Sequence, residues 1–220
     1  LEVSGISIPA LEVGGDYYDY LDFAGGRFGV VVGDVSGKGT SAALYMSQLR
    51  GILKTASQYH KSLKDLLAVV NAVTYRSIEL HSFITLTCAA FDVPQRQLRL
   101  VRAGHLPLLH YCAAHKTCRE LTPKGIGVGL ENGAVFNAEL EETEMTFASG
   151  DVFLFFTDGI TEARTEQNEE LDTRFLVDLV SRNGCASAVE LRDKIISGVL
   201  ELAGGDAQRD DMTLVVVKIR

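Results

Sequence analysis

Four short acidic turns punctuate the chain: GGDYYD at 14–19, GDVSGKGTS at 33–41, TDGITEA at 157–163 and DDMT at 210–213. Each lies at the edge of an apolar stretch, with Gly or a second acid beside its Asp. A single Asp-Gly pair is an ordinary turn, because Asp bonds to nearby backbone and Gly tolerates left-handed conformations. Four such turns at strand ends suggest more. Carboxylates gathered at one end of a sandwich repel one another unless a cation sits among them. Hard divalent ions such as Mg²⁺ or Mn²⁺ take oxygen ligands of this kind, and glycine lets backbone approach the ion closely. Spacing alone leaves both readings open, a shared metal site or four ordinary turns.

The elements that must position these turns follow from periodicity. Strand-like stretches cover about 3–8, 16–23 and 27–34. Apolar residues then recur at helical spacing over about 40–58 (Ala43, Met46, Leu49, Leu53, Ala56) and 62–80 (Leu63, Leu66, Leu67, Val70, Val73, Ile78). The short junction predicts an antiparallel helix pair. A β-rich block follows, with strands at about 83–91, 97–103, 107–112, 117–121, 135–147 and 151–157. Two helices occupy about 172–182 and 187–203, and MTLVVVKI at 212–219 closes the chain as a β-branched strand. Strands segregated from helix pairs mean an α+β fold. The expected architecture is a central β-sandwich of two mostly antiparallel sheets flanked by helix pairs, spanning 1–220 as a single domain.

The motif order GGDxYD, GDVSGKG opening a helix, AGHLPLL, GDxxLxxTDGxTEA and DDMTLVVV resembles the PPM family, the metal-dependent type-2C serine/threonine phosphatases. It is most similar to the bacterial SpoIIE/RsbU-type phosphatase domain. The resemblance runs from Gly14 to Ile219. It implies that Asp16 binds one of two metals, that Asp34 bridges both, and that the carbonyl of Val35 is a further ligand. It also implies metal ligation by Asp158 and by Asp210, with Asp211 as an additional candidate. For Asp19 and Asp211, hydrogen bonding to turn amides or to metal waters competes with direct ligation. The implied reaction is hydrolysis of phosphoserine or phosphothreonine by water activated between two divalent cations, Mn²⁺ or Mg²⁺. No protein nucleophile is needed, so Ser36 and Cys88 are not assigned that role. Gly37 and Lys38, at the start of the helix after Asp34, are candidates for holding the phosphate. The arginine found just before the first Asp in many eukaryotic relatives is missing, since Val13-Gly14-Gly15 stands there.

Other motifs fail on inspection. GDVSGKGTS is one residue too short between its glycines for a P-loop, and Gly39 replaces the required Ser or Thr. GGDYYD resembles the signature of diguanylate cyclases, but Tyr17 stands where a second acid belongs. His110, Cys112, His115 and Cys118 have zinc-like spacing, yet AAHKT reads as a hairpin tip that puts His115 in solvent. His105 is better read as fixing the turn before Pro107 than as a general acid. Glu162 either orders a metal-bound water or caps the segment that follows.

The composition agrees with this reading. Among 220 residues, 29 acids against 21 bases give a net charge of -8, which excludes a phosphate-backbone binder and so nucleic acid as a partner. No apolar run approaches the ~20 residues that span a bilayer, so no membrane insertion is expected. Four Cys without a CxxC make no disulfide framework, and a reducing cytoplasmic location is the default. The family resemblance implies a phosphorylated anti-sigma-factor antagonist as protein substrate. It further implies an upstream sensor or dimerisation domain, which allows a homodimer, and the start at Leu1 fits a domain excised from a longer regulatory protein. The helices at about 40–58 and 62–80 are candidates for carrying a signal to the Asp34 turn. A catalytically weak binding or signalling module is the competing functional class. The presence of all four ligand Asp favours an active enzyme.

Overall fold

A computed structural model describes residues 1–23, 25–165, 169–203, 208 and 210–220. The chain forms two compact units, both discontinuous in sequence. Unit 2 comprises Leu11–Leu106 and Thr122–Thr146, and unit 1 comprises Leu1–Ala10, Pro107–Leu121 and Phe147–Arg220.

Unit 2 holds a five-stranded antiparallel sheet. Its strands are β2 (Asp16–Phe23), β3 (Arg27–Val35), β4 (Ile84–Asp92), β5 (Gln97–Ala103) and β8 (Glu142–Thr146), in that spatial order. Adjacent strands follow one another in sequence except at β5–β8; short turns join β2 to β3 and β4 to β5, whereas the segment carrying two helices separates β3 from β4. Helices α1 (Thr40–Ala56) and α2 (Leu63–Thr74) pack on one face of this sheet. Leu49, Leu53, Leu63, Leu66, Leu67 and Val70 form a core there with Val31, Cys88 and Val101. Ser62 caps α2 by accepting from the Asp65 amide at 3.2 Å. Val30, Val31 and Val32 are all fully buried, so β3 is covered on both faces.

Unit 1 holds the second five-stranded antiparallel sheet, in the order β1 (Glu2–Ile8), β10 (Met212–Lys218), β9 (Val152–Phe156), β6 (Leu108–Cys112) and β7 (Thr117–Leu121). Helices α5 (Asp172–Asn183) and α6 (Ala188–Leu202) pack on it. A capping box between Ser187 and Glu190 starts α6. The α+β class, the antiparallel sheets and both helix pairs agree with the sequence reading.

Three elements differ from it. The stretch read as one strand over 135–147 is a short helix α3 (Ala134–Glu139) followed by β8. The Glu131 carboxylate accepts from the amides of Gly133, Val135 and Phe136 at 2.9–3.0 Å, which nucleates the turn, and Phe136 then buries completely. The second helix stops at Thr74 instead of reaching 80, and Ile78 beyond it packs against Gly129. Asp158–Thr161 forms one further helical turn, α4, which a four-residue segment containing Gly does not announce.

Candidate metal centre

In unit 2 the sheet register sets the first acidic pair. Asp16 opens β2 and lies directly opposite Asp34 near the end of β3. Asp16 is 8% exposed and Asp34 is half-buried. Like charges directly opposite on adjacent strands are destabilising, so this pairing carries a cost that a cation would remove. Gly15 makes the close approach possible. A Cβ there would stand 3.0 Å from the Val35 carbonyl oxygen and 3.5 Å from Asp34 Oδ1. The Val35 amide in turn donates to the Gly15 carbonyl at 3.3 Å. Two carboxylates and a backbone carbonyl beside a glycine form a donor set that suits a hard divalent ion.

Thr85, which sequence reasoning passed over, lies opposite Asp34 on the other side, on β4. Its Oγ1 is 2.7 Å from Nδ1 of His105, which is 6% exposed. Arg102 donates to the His105 carbonyl at 2.7 Å. His105 therefore ties the turn before Pro107 to the strand beside Asp34, as its sequence context suggested. In the ITLT stretch, Thr85 looks like ordinary strand alternation, so no sequence signal singled it out.

Beyond Asp34 the chain turns through Gly37 and Gly39, both with positive φ (97° and 78°). A Cβ on either would meet nothing within 4 Å, so backbone conformation is what calls for glycine here. Gly39 is the N-cap of α1, whose first turn has neither a side-chain cap nor an acid. Lys38 is exposed at this helix start.

Unit 1 builds its acidic set differently. Asp158 begins α4 at the end of β9, and Asp210 and Asp211 precede β10. Gly159 presses on this second segment: a Cβ there would lie 2.1 Å from the Asp211 carbonyl oxygen. One Asp211 oxygen accepts from the Ala10 amide at 2.7 Å, and Asp210 Oδ1 accepts from the Asp211 amide at 2.9 Å. Thus Asp211 makes the turn-amide bond weighed for it. Glu162 ends α4, its amide donating to the Asp158 carbonyl at 2.7 Å. Burial first, then the charges of Asp158, Glu170 and Asp210, raise the Glu162 carboxyl above its ordinary value. Asp158 and Asp210 therefore stand close enough to Glu162 for their charges to act on its carboxyl.

Asp19 has a different employment. It pairs with Lys54 at 2.9 Å and Arg50 at 3.1 Å on α1, and accepts from the Tyr20 amide and the Tyr17 hydroxyl. Burial opposes its ionisation, but Lys54 and the Tyr20 amide hold the carboxyl below its ordinary value. Cys88 is no nucleophile, since burial pushes its thiol up to about 12. His110 in unit 1 stacks on Phe153, bonds Asp151 at 3.1 Å and accepts from Arg119 at 3.2 Å, so protein groups occupy both ring nitrogens. His115 is exposed. Among the described residues no three His, Cys, Asp or Glu side chains gather into a ready metal group, and the carboxylates form smaller sets within each unit.

Comparison with known proteins decides the family. The family model for Stage II sporulation protein E (SpoIIE) matches residues 24–220. The chain belongs to the SpoIIE family. Its SpoIIE-type sequence is 30% identical to the phosphoserine phosphatase RsbU of Bacillus subtilis over 219 residues, covering 99% of this chain and 63% of that protein. It is 22% identical to the phosphoserine phosphatase RsbP of the same organism, covering 95% of this chain and 50% of RsbP. The chain thus spans under two thirds of the length of these relatives. Among solved structures, the SiaA PP2C domain of Pseudomonas aeruginosa superimposes with a TM-score of 0.85 at 21% identity, covering 99% of this chain and 86% of that one. The PP2C phosphatase domain of B. subtilis SpoIIE gives 0.81 at 18% identity, covering 100% and 64%. These likenesses show the fold, and the SpoIIE family fold is that of PP2C phosphatase domains. Among the described residues no helix is long and apolar enough to cross a membrane.

Proposed function

We propose that the chain is a metal-dependent phosphoprotein phosphatase acting on phosphoserine or phosphothreonine. The observation that carries this reading is the Asp16–Asp34 pair, held opposite each other beside Gly15 and the Val35 carbonyl in a SpoIIE-family chain. Asp16, Asp34, the Val35 carbonyl, Asp158 and Asp210 would hold two divalent cations, Mn²⁺ or Mg²⁺, with Asp211, which accepts from the Ala10 amide, as an additional candidate ligand. Bound divalent cations supply an activated water and neutralise charge on a phosphoryl group.

The protein's own residues bind and orient. The uncapped α1 amides, behind Gly37 and Lys38, offer donors and partial positive charge to a phosphate. Gly15 keeps the approach to Asp34 open, and Thr85 with His105 steadies the strand beside it. The substrate would carry phosphoserine, as the names of the similar phosphoserine phosphatases RsbU and RsbP support, and the family resemblance points to a phosphorylated anti-sigma-factor antagonist. Residues 1–220 would act as one phosphatase domain of a longer cytoplasmic regulator, with an upstream sensor or dimerisation segment and a homodimeric state. The α1–α2 pair would carry the signal toward Asp34.

The test is hydrolysis of p-nitrophenyl phosphate with Mn²⁺, an EDTA control and the Asp34→Ala variant. We expect activity that EDTA abolishes and that Asp34→Ala lowers by about 100-fold or more. Activity surviving both treatments overturns the metal mechanism. A fully folded protein that binds Mn²⁺ but hydrolyses nothing would instead favour a catalytically weak signalling module.

A further inference from the structure

At the other end of the unit 2 sheet lies an open cavity of about 460 Å³, lined by Gly25, Arg27, Lys61, Asp92, Gln97 and Arg99, among others. Arg27 and Asp34 stand at opposite ends of β3, about 23 Å apart by strand rise. The cavity is therefore separate from the Asp16–Asp34 pair. Its floor is the sheet face at the hairpin ends, where β3 begins, β4 ends and β5 begins. Lys61 comes from the link between α1 and α2.

The lining is cationic and organised. Arg27 donates through Nη2 to the Lys61 carbonyl at 2.7 Å, and its Cζ lies 5.7 Å from the Phe23 ring centroid. Its guanidinium is thus fixed by a hydrogen bond and a cation–π contact. Arg99 is held through Nε by Glu144 at 2.7 Å. Neither Arg27 nor Lys61 forms an ion pair among the described residues. Glu144 offsets Arg99 from outside the lining, and the one carboxylate within it, Asp92, already accepts from the Gln95 amide at 3.0 Å, which leaves Arg27 and Lys61 as the excess positive charge. Gln95 and Gln97 add side-chain amides.

Preorganised guanidinium groups with a lysine match the multiple oxygens and higher charge of a phosphate better than a single carboxylate. The volume falls within the range of small-molecule sites. We propose that this cavity binds a small molecule bearing a phosphate group. Arg27, Lys61 and Arg99 hold the phosphate, and Asp92 with the two glutamines meets the polar body attached to it.

The test uses two probes, inorganic phosphate and adenosine 5′-monophosphate, titrated calorimetrically into EDTA-treated protein, so that phosphatase activity plays no part. The variants are Lys61→Gln, Arg27→Gln/Arg99→Gln and, as control, Asp34→Asn. The expected result is binding that weakens about tenfold or more in the first two variants and is unchanged in the control. Tighter binding of the nucleotide than of phosphate shows that the organic body is recognised, and equal binding makes free phosphate the ligand. Lys61 is exposed, so its substitution reports on binding even if the double variant misfolds. Absence of binding by both probes, binding indifferent to Lys61→Gln, or binding lost in Asp34→Asn overturns the proposal.

Discussion

The two units present carboxylates by different means. In unit 2 the ladder does it: Asp16 and Asp34 face each other because β2 and β3 pair in one register. In unit 1 the carboxylates sit on a helical turn and on the approach to a strand, and a glycine pressed against a carbonyl fixes their spacing. A ladder is redundant, since many rungs vote for one register. A glycine contact is a single point of failure. The lesson is that similar chemistry can rest on supports of very unequal robustness.

Gly159→Ala should break the weaker support. A Cβ 2.1 Å from the Asp211 carbonyl forces the backbone apart, and we expect a loss of about 3 kcal/mol in urea unfolding. Activity should fall with it. Gly15→Ala meets the Val35 carbonyl at 3.0 Å and should cost about 1 kcal/mol, because a few tenths of an ångström of strand movement relieve it. Equal losses for the two would erase the distinction.

The units should also differ in their response to acid. Burial lowers the His110 imidazole below its ordinary value, more than its Asp151 partner raises it, and the nearby Arg119 adds to the lowering. The folded state therefore binds fewer protons than the unfolded state, and stability should decline as pH falls below ~6.5. Asp19 in unit 2 is also lowered, but for a carboxylate the contribution is present above ~3.9 and is lost as pH falls through the lower folded value. Unfolding measured against pH should lose its slope just below about pH 6.5 in His110→Gln. In Asp19→Asn the limb below about pH 4 should flatten, with a cost near neutrality of only about 1 kcal/mol because Arg50 and Lys54 are largely exposed.

The smallest effect tests the ladder itself. Asp34→Asn in EDTA-treated protein relieves a like-charge pair across two strands and should stabilise the fold by about 0.5 kcal/mol, read as a raised melting temperature. A loss of stability would mean that Asp34 supports the fold rather than straining it.

The unbroken β-branched runs in FGVVVGDV and MTLVVVKI made those strands legible, because a strand buried on both faces reads as a short continuous apolar run. The helix over Ala134–Glu139 was not legible, since its start depends on three amides reaching the Glu131 carboxylate. That is a tertiary-like device without a sequence period. The candidate ligands were readable as acidic turns, each Asp beside a Gly or a second acid, in the order that carries the family resemblance. Thr85 and Gly15 were not, because their importance lies in what stands beside them across the sheet, at Asp34 and Val35.

The pairing of β1 with β10 joins Glu2–Ile8 to Met212–Lys218. On a chain emerging from the ribosome, the residues of unit 2 are complete once Thr146 has appeared, and its hairpins can close early. β1 is made before unit 2 but pairs with β10 alone in its sheet, so all of unit 2 is synthesised before its neighbour appears. During that interval it is an unmatched strand edge, the kind of surface that recruits other chains. Unit 1, the home of Asp158 and Asp210, therefore becomes safe from aggregation later than unit 2.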